Sequence, residues 1–167
     1  EVNASVINTE ESAFVSSGGL VGDTGDGSIA DCYTTGVISV SATKNQEKEF
    51  LFTGGLLGRS RDGKIANCYA ASKISHETDA GVTDDSAPWA LIGNSNDSKV
   101  KGCFWDTEIS AISTSKYGTG LTSAEMQQQD KFVEAGWDFT TTWDIKPGIS
   151  YPWLRGLDYS ESGYPAP

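Results

Sequence analysis

Cys32, Cys68 and Cys103 are the residues of this sequence best suited to redox or metal chemistry. Zinc-binding thiolates recur at short spacings, whereas these stand 36 and 35 residues apart. On adjacent strands in register their Cβ atoms would lie about 4.8 Å apart, beyond the ~3.8 Å a disulfide favours. The reading that fits is a column of buried, reduced thiols packing as small hydrophobes. Asp23 and Asp26 fall in Asp-Thr-Gly-Asp-Gly, which faintly suggests a calcium loop. The matching stretch further on has Arg59 and Arg61 flanking Asp62, so turn formation explains these aspartates better, and a weak calcium site at Asp23 and Asp26 is left open. Glu77, Asp79, Asp84 and Asp85 read as a solvated acidic excursion. His76 is the one histidine, and no Gly-x-Ser-x-Gly nucleophile accompanies it. Carboxylates are plentiful enough for sugar hydrolysis, yet no acidic cluster interrupts the pattern to mark a groove. Trp105, Trp137, Trp143 and Trp153 could stack on pyranose rings, and packing in a cap is the favoured reading. No catalytic, cofactor-binding or metal-binding residue is assigned.

The composition narrows the classes further. The chain has 167 residues, room for one domain with a real core. A net charge of −11 repels phosphate backbones, which excludes nucleic acid as a favoured partner. No apolar run approaches the ~20 residues of a membrane span, so no membrane insertion is expected in this segment. The opening on Glu1 without Met suggests a piece of a longer chain. With 20 Ser, 15 Thr and 19 Gly, the chain suits many short strands and turns rather than long helices.

The elements that would position these residues are repeated. Gly18-Gly19-Leu20-Val21-Gly22 and Gly54-Gly55-Leu56-Leu57-Gly58 are each followed ten residues later by Cys. Pro88-Trp89-Ala90-Leu91-Ile92-Gly93 keeps the same spacing to Cys103, with Pro88-Trp89 standing where Gly-Gly is expected. Leu20, Leu56 and Leu91 share a column, and Tyr33, Tyr69 and Phe104 share another. Each copy reads as strand, turn, strand and a variable excursion. Asp31, Asn67 and Gly102 precede the Cys and tolerate a left-handed backbone, which predicts a corner there. One copy cannot bury its own apolar face, and stacking copies makes a continuous core. The expected fold is all-β, a β-solenoid or parallel β-helix-like stack of ~35-residue repeats. The repeats span 1–104, as a partial unit 1–17 and units 18–53, 54–88 and 89–104. Loops at 41–50 and 77–88 carry the excess length.

Gly-Gly-Leu-Val-Gly followed by Ile-Ala-Asp/Asn-Cys-Tyr-x-x-Gly resembles the GLUG-motif repeat of bacterial surface proteins, including adhesins and some secreted immunoglobulin A peptidases. The tail from Cys103-Phe104-Trp105-Asp106-Thr107 to Tyr151-Pro152-Trp153-Leu154-Arg155 also looks like the end of such arrays. The resemblance covers about residues 14–156. It implies a β-solenoid and no catalytic residues or cofactors.

A solenoid edge needs capping. Residues 105–156 are expected to form a C-terminal cap, with the four tryptophans over the last rung, and 157–167 a loose tail. Thr122-Ser123-Ala124-Glu125 is a capping box that predicts one short helix over about 123–130. The expected function is a non-enzymatic extracellular or cell-surface structural and adhesive module of a bacterial protein, taking a host or matrix glycan or protein ligand. The alternatives are a carbohydrate-active β-helix enzyme or sugar-binding module, and an accessory module of a secreted protease.

Overall fold

The computed structural model describes residues 2–7, 13–43, 49–78 and 88–157. The central parts of both excursion loops, the side chain of His76 and nearly all of the 157–167 tail lie outside the described residues.

The fold is strand-rich and its strands are mostly parallel. β1 (Val2–Ile7), β5 (Tyr33–Thr43), β9 (Tyr69–Thr78), β12 (Phe104–Asp106) and β13 (Thr119–Leu121) form a five-stranded sheet in the order β1-β5-β9-β12-β13. β3 (Val21–Asp23), β7 (Leu57–Arg61) and β10 (Ile92–Asn96) form a second sheet. β4 (Ser28–Ala30), β8 (Lys64–Ala66) and β11 (Lys99–Lys101) form a third, and β2 (Ala13–Gly18) pairs with β6 (Glu49–Gly54). The pairing follows the sequence period: Ile29 lies beside Ile65, and Ile65 beside Val100. Three-residue strands suffice because each puts one aliphatic side chain inward between two outward neighbours. The corner column behaves as its residue types require, with φ of 52° at Asp31, 51° at Asn67 and 59° at Gly102.

The double-glycine column exists because neighbouring backbones nearly touch there. A Cβ on Gly54 would lie 2.1 Å from the Leu57 carbonyl oxygen and 2.5 Å from Gly93 N. A parallel bridge joins Gly54 to Trp89, which corrects the alignment of the third copy: Trp89-Ala90, not Pro88-Trp89, occupies the column. Much of the backbone crowding Gly18 and Gly54 belongs to the next copy. After the third copy the chain leaves the pattern, so a large side chain is tolerated at 89.

Two of the three apolar cores among the described residues meet the Tyr69–Ala71 end of the five-stranded sheet on opposite faces, and Ile38, Val40 and Leu51 form the third. Leu56, Leu57, Ile65, Cys68, Leu91, Ile92 and Cys103 pack on one side. Tyr69, Phe104, Met126, Phe132, Trp137, Trp143, Tyr151 and Trp153 pack on the other, with Tyr33 against them. The aromatic column is therefore not part of the Cys and Leu core. Tyr follows Cys directly, and consecutive strand residues point to opposite faces.

The helices depart from expectation. A short helix not anticipated from the sequence, α1 (Thr107–Ser110), follows β12 and is N-capped by Asp106. The segment 123–130 is not one helix: it is a 3-10 turn at Glu125–Gln127, an extended Gln128, and then α2 (Gln129–Glu134). The capping box does form, since Glu125 N donates to Thr122 Oγ1 at 3.2 Å and Thr122 N donates to Glu125 Oε2 at 2.9 Å. Met126 and Phe132 are both fully buried in the aromatic core. One continuous helix would point them about 120° apart, and the break at Gln128 lets both face inward.

Candidate functional site

The cysteine column carries the chemistry most visible in the sequence. All three thiols are free. Each Sγ donates to the carbonyl two residues earlier: Cys32 to Ala30 at 3.1 Å, Cys68 to Ala66 at 3.0 Å and Cys103 to Lys101 at 3.4 Å. The hydrogen bond with Cys103 and burial push the Cys68 thiol far up, which removes its thiolate at neutral pH. Burial, then the charge of Asp31, pushes Cys32 up as well. Cys32 and Leu20 correct the expectation of three equally buried members. Cys32 is half-buried, and Leu20 is 43% exposed where Leu56 and Leu91 are 0%. Both belong to the first copy, whose outer side no strand among the described residues covers over Val21–Val37.

The other candidates are held by local structure. Asp23 accepts from Gly25 N at 2.8 Å and faces Arg61 Nη2 at 3.5 Å. A guanidinium therefore sits at the carboxylate a calcium ion would need. Asp26 and Asp62 are exposed turn residues. Among the described residues, no group of three or more His, Cys, Asp or Glu could hold a metal ion.

Asp106 is not singled out by the sequence, and its carboxylate accepts four hydrogen bonds within the protein. Its side chain is fully buried. Oδ1 accepts from Glu108 N and Ile109 N, both at 2.8 Å, and caps α1. Oδ2 accepts from Ser123 Oγ at 2.8 Å and from the Tyr151 hydroxyl. The available signal was Asp-Thr-Glu, an N-cap residue before an acidic first turn.

Trp137, Trp143 and Trp153 are not confined to the last copy. They pack along the flank of the sheet against Tyr33, Tyr69 and Phe104. Trp143 Nε1 donates to Asp31 Oδ1 in the first copy at 3.2 Å, and Trp137 Nε1 donates to the Gly102 carbonyl in the third at 2.8 Å. Their ring centroids are 4.3 Å apart, and Tyr33 stacks on Tyr69 at 5.1 Å. Trp105 lies in β12 itself and donates to the Ile112 carbonyl at 3.0 Å. The edge of the third copy at β12 is covered instead by β13, in parallel register. All four indoles are buried, whereas a sugar-stacking platform needs exposed ring faces.

One recess of about 490 Å³ lies between the third copy and α2. Gly102, Cys103, Phe104 and Gly118 form part of its wall, and Lys131 and Glu134 bring one ammonium and one carboxylate to it. Lys131 also reaches Glu125 at 4.0 Å. The sequence held no sign of this recess, because α2 meets the β11–β12 corner only through tertiary packing.

No family model, curated protein or solved structure matches this chain. No helix among the described residues is long and apolar enough to cross a membrane.

Proposed function

We propose that the chain is a β-solenoid segment of the GLUG-motif kind, acting as a non-enzymatic structural and adhesive module of a bacterial surface or secreted protein. The observation that carries this reading is the register. Tyr33 to Ala42 pair in parallel with Tyr69 to Thr78, and Phe104 continues the same column. An offset equal to the sequence period is what a coil of repeats requires. The carboxylates support a non-catalytic role. Asp106 caps a helix, Asp138 gathers the Thr140 and Thr141 hydroxyls, and Asp23 closes a turn.

Recognition of a host or matrix glycan or protein falls to the excursions at 41–50 and 77–88. Ser41–Thr43, Glu49, Phe50, Glu77 and Thr78 are held in paired strands, so recognition is assigned to 44–48 and 79–87, whose sequences repeat none of the column residues. The test replaces each excursion by a short Gly-Ser linker and screens both proteins on glycan and extracellular-matrix arrays, with circular dichroism to verify the fold. Loss of binding with the fold intact supports the module. Unchanged binding would leave the segment a spacer, and turnover of a polysaccharide would favour a carbohydrate-active enzyme.

A further inference from the structure

We propose that the edge of the first copy from Leu20 through β3 and β4 to Val37, which no strand among the described residues covers, is an acceptor for a strand segment with the repeat's own pattern, added in parallel. The inference rests on the solenoid reading and names the partner of its free edge. The columns supply the comparison. Val21, Ile29 and Cys32 are half-buried, while Leu57, Ile65 and Cys68, at the same positions one copy on, are at most 1% exposed. The residue types match, and what differs is the neighbour on the upstream side.

The backbone gives the same direction. Leu56 N donates to the Leu91 carbonyl at 2.9 Å, and Leu20 N to the Leu56 carbonyl at 3.0 Å. The same step leaves the Leu20 carbonyl as the acceptor for a copy upstream. Across the corner the sense reverses: Phe104 N donates to the Cys68 carbonyl at 2.9 Å and Tyr69 N to the Cys32 carbonyl at 3.1 Å. Tyr33 N is thereby the matching donor on the open side.

The occupied half of the same edge shows how a segment sits there. β1 pairs with β5 from Ile38 onward, and β2 pairs with β6, both in parallel and at the repeat offset. The acceptor half is continuous with this interface. Charge also selects the partner. A second copy of the same edge would bring only further carboxylates from Asp23 and Asp26 and no guanidinium. A segment patterned on 54–72 would instead bring the arginines of positions 59 and 61 beside Asp23, as Arg61 already lies on its other side.

The test prepends residues 54–72 to Glu1 of the full chain, with Cys68→Ser in the added segment. Residues 54–72 and 1–17 together restore one unit in frame. Alkylation of Cys32, read by mass spectrometry, is expected to slow about tenfold or more, towards the rate of Cys68. The same extension carrying Ser at its copies of Leu56, Leu57 and Ile65 is expected to leave the rate unchanged. Unslowed Cys32, with Cys68 and Cys103 still protected, would overturn the proposal, as would equal slowing by the Ser-bearing extension. Should the extended chain not fold, the 54–72 peptide with Cys68→Ser, added in trans at millimolar concentration, decides by the same readout. Protection of Cys32 that rises with protein concentration in the unextended chain, with sedimentation as a dimer, would assign the edge to a second copy and overturn the proposal. Amide exchange of β7 and β8 in the unextended chain separates the two ideas. Slow exchange keeps the solenoid reading whatever the extension does, and fast exchange removes it.

Discussion

Replacing Asp106 with Ala tests whether the C-terminal segment is held to the sheet by one buried carboxylate. The side chain is 0% exposed and accepts four hydrogen bonds, from Glu108 N, Ile109 N, Ser123 Oγ and the Tyr151 hydroxyl. Losing the helix cap costs about 0.5–2 kcal/mol. Tyr151 is 2% exposed, and losing the hydrogen bond from its hydroxyl to this carboxylate adds about 1–3 kcal/mol. Ser123 is only partly buried, and water replaces much of its loss. The sum is about 1.5–5 kcal/mol for Asp106→Ala. For a chain of this size that lowers Tm by roughly 3–20 °C. Asp106→Asn keeps an oxygen for the cap and should cost less, because both hydroxyls can reorient toward the amide. Urea unfolding followed by tryptophan fluorescence measures each variant, since Trp137, Trp143 and Trp153 share the core with Tyr151. A double-mutant cycle with Tyr151→Phe should give a coupling of about 1 kcal/mol or more. An Asp106→Ala variant within about 0.5 kcal/mol of the parent, or strict additivity in the cycle, would refute this account of the carboxylate.

Three further outcomes are expected. Under native conditions a thiol reagent should modify Cys32 first and leave Cys68 and Cys103 until denaturant is added. Because the Cys32 thiol is pushed up, its rate should still be rising above the pH at which a free thiol is half ionised, and equal labelling of all three would contradict the columns. Trp143→Ala, at a fully buried indole, should cost about 3–5 kcal/mol, and unchanged chemical denaturation would place that ring outside the core. The Thr140 and Thr141 hydroxyl and amide donors hold the Asp138 carboxyl well below its ordinary value. A depressed carboxylate contributes its stability in full above its unfolded value and loses it only as pH falls toward the folded one. The stability difference between the parent and Asp138→Ala should therefore stay constant from pH 7 to about pH 5 and fade only in stronger acid, while a difference that vanished near pH 6 would exclude this turn as its source.

Periodicity alone determined which residues share a column. Spacing set Leu56 with Leu91 and Cys68 with Cys103, and the parallel registers follow those spacings. The corner at Asp31, Asn67 and Gly102 was equally legible, because few residue types accept positive φ. These are local or repeated properties, and a sequence states them many times over. Exposure within a column was not legible. Leu20 and Leu56 have the same side chain and the same place in the pattern, and only the neighbour decides that one is 43% exposed and the other 0%. The surface that residues 105–156 pack against was not legible either. The tryptophans announced a buried cluster, but nothing in their spacing says which surface they cover. That choice belongs to the Tyr33, Tyr69 and Phe104 column, whose aromatic face on the far side of the sheet had to be shielded from water. Asp106 shows the same limit in one residue. Its role as a helix cap is written in the next two residues, while its partners Ser123 and Tyr151 arrive from 17 and 45 positions away. Contacts over such distances are decided by how the folded surfaces meet.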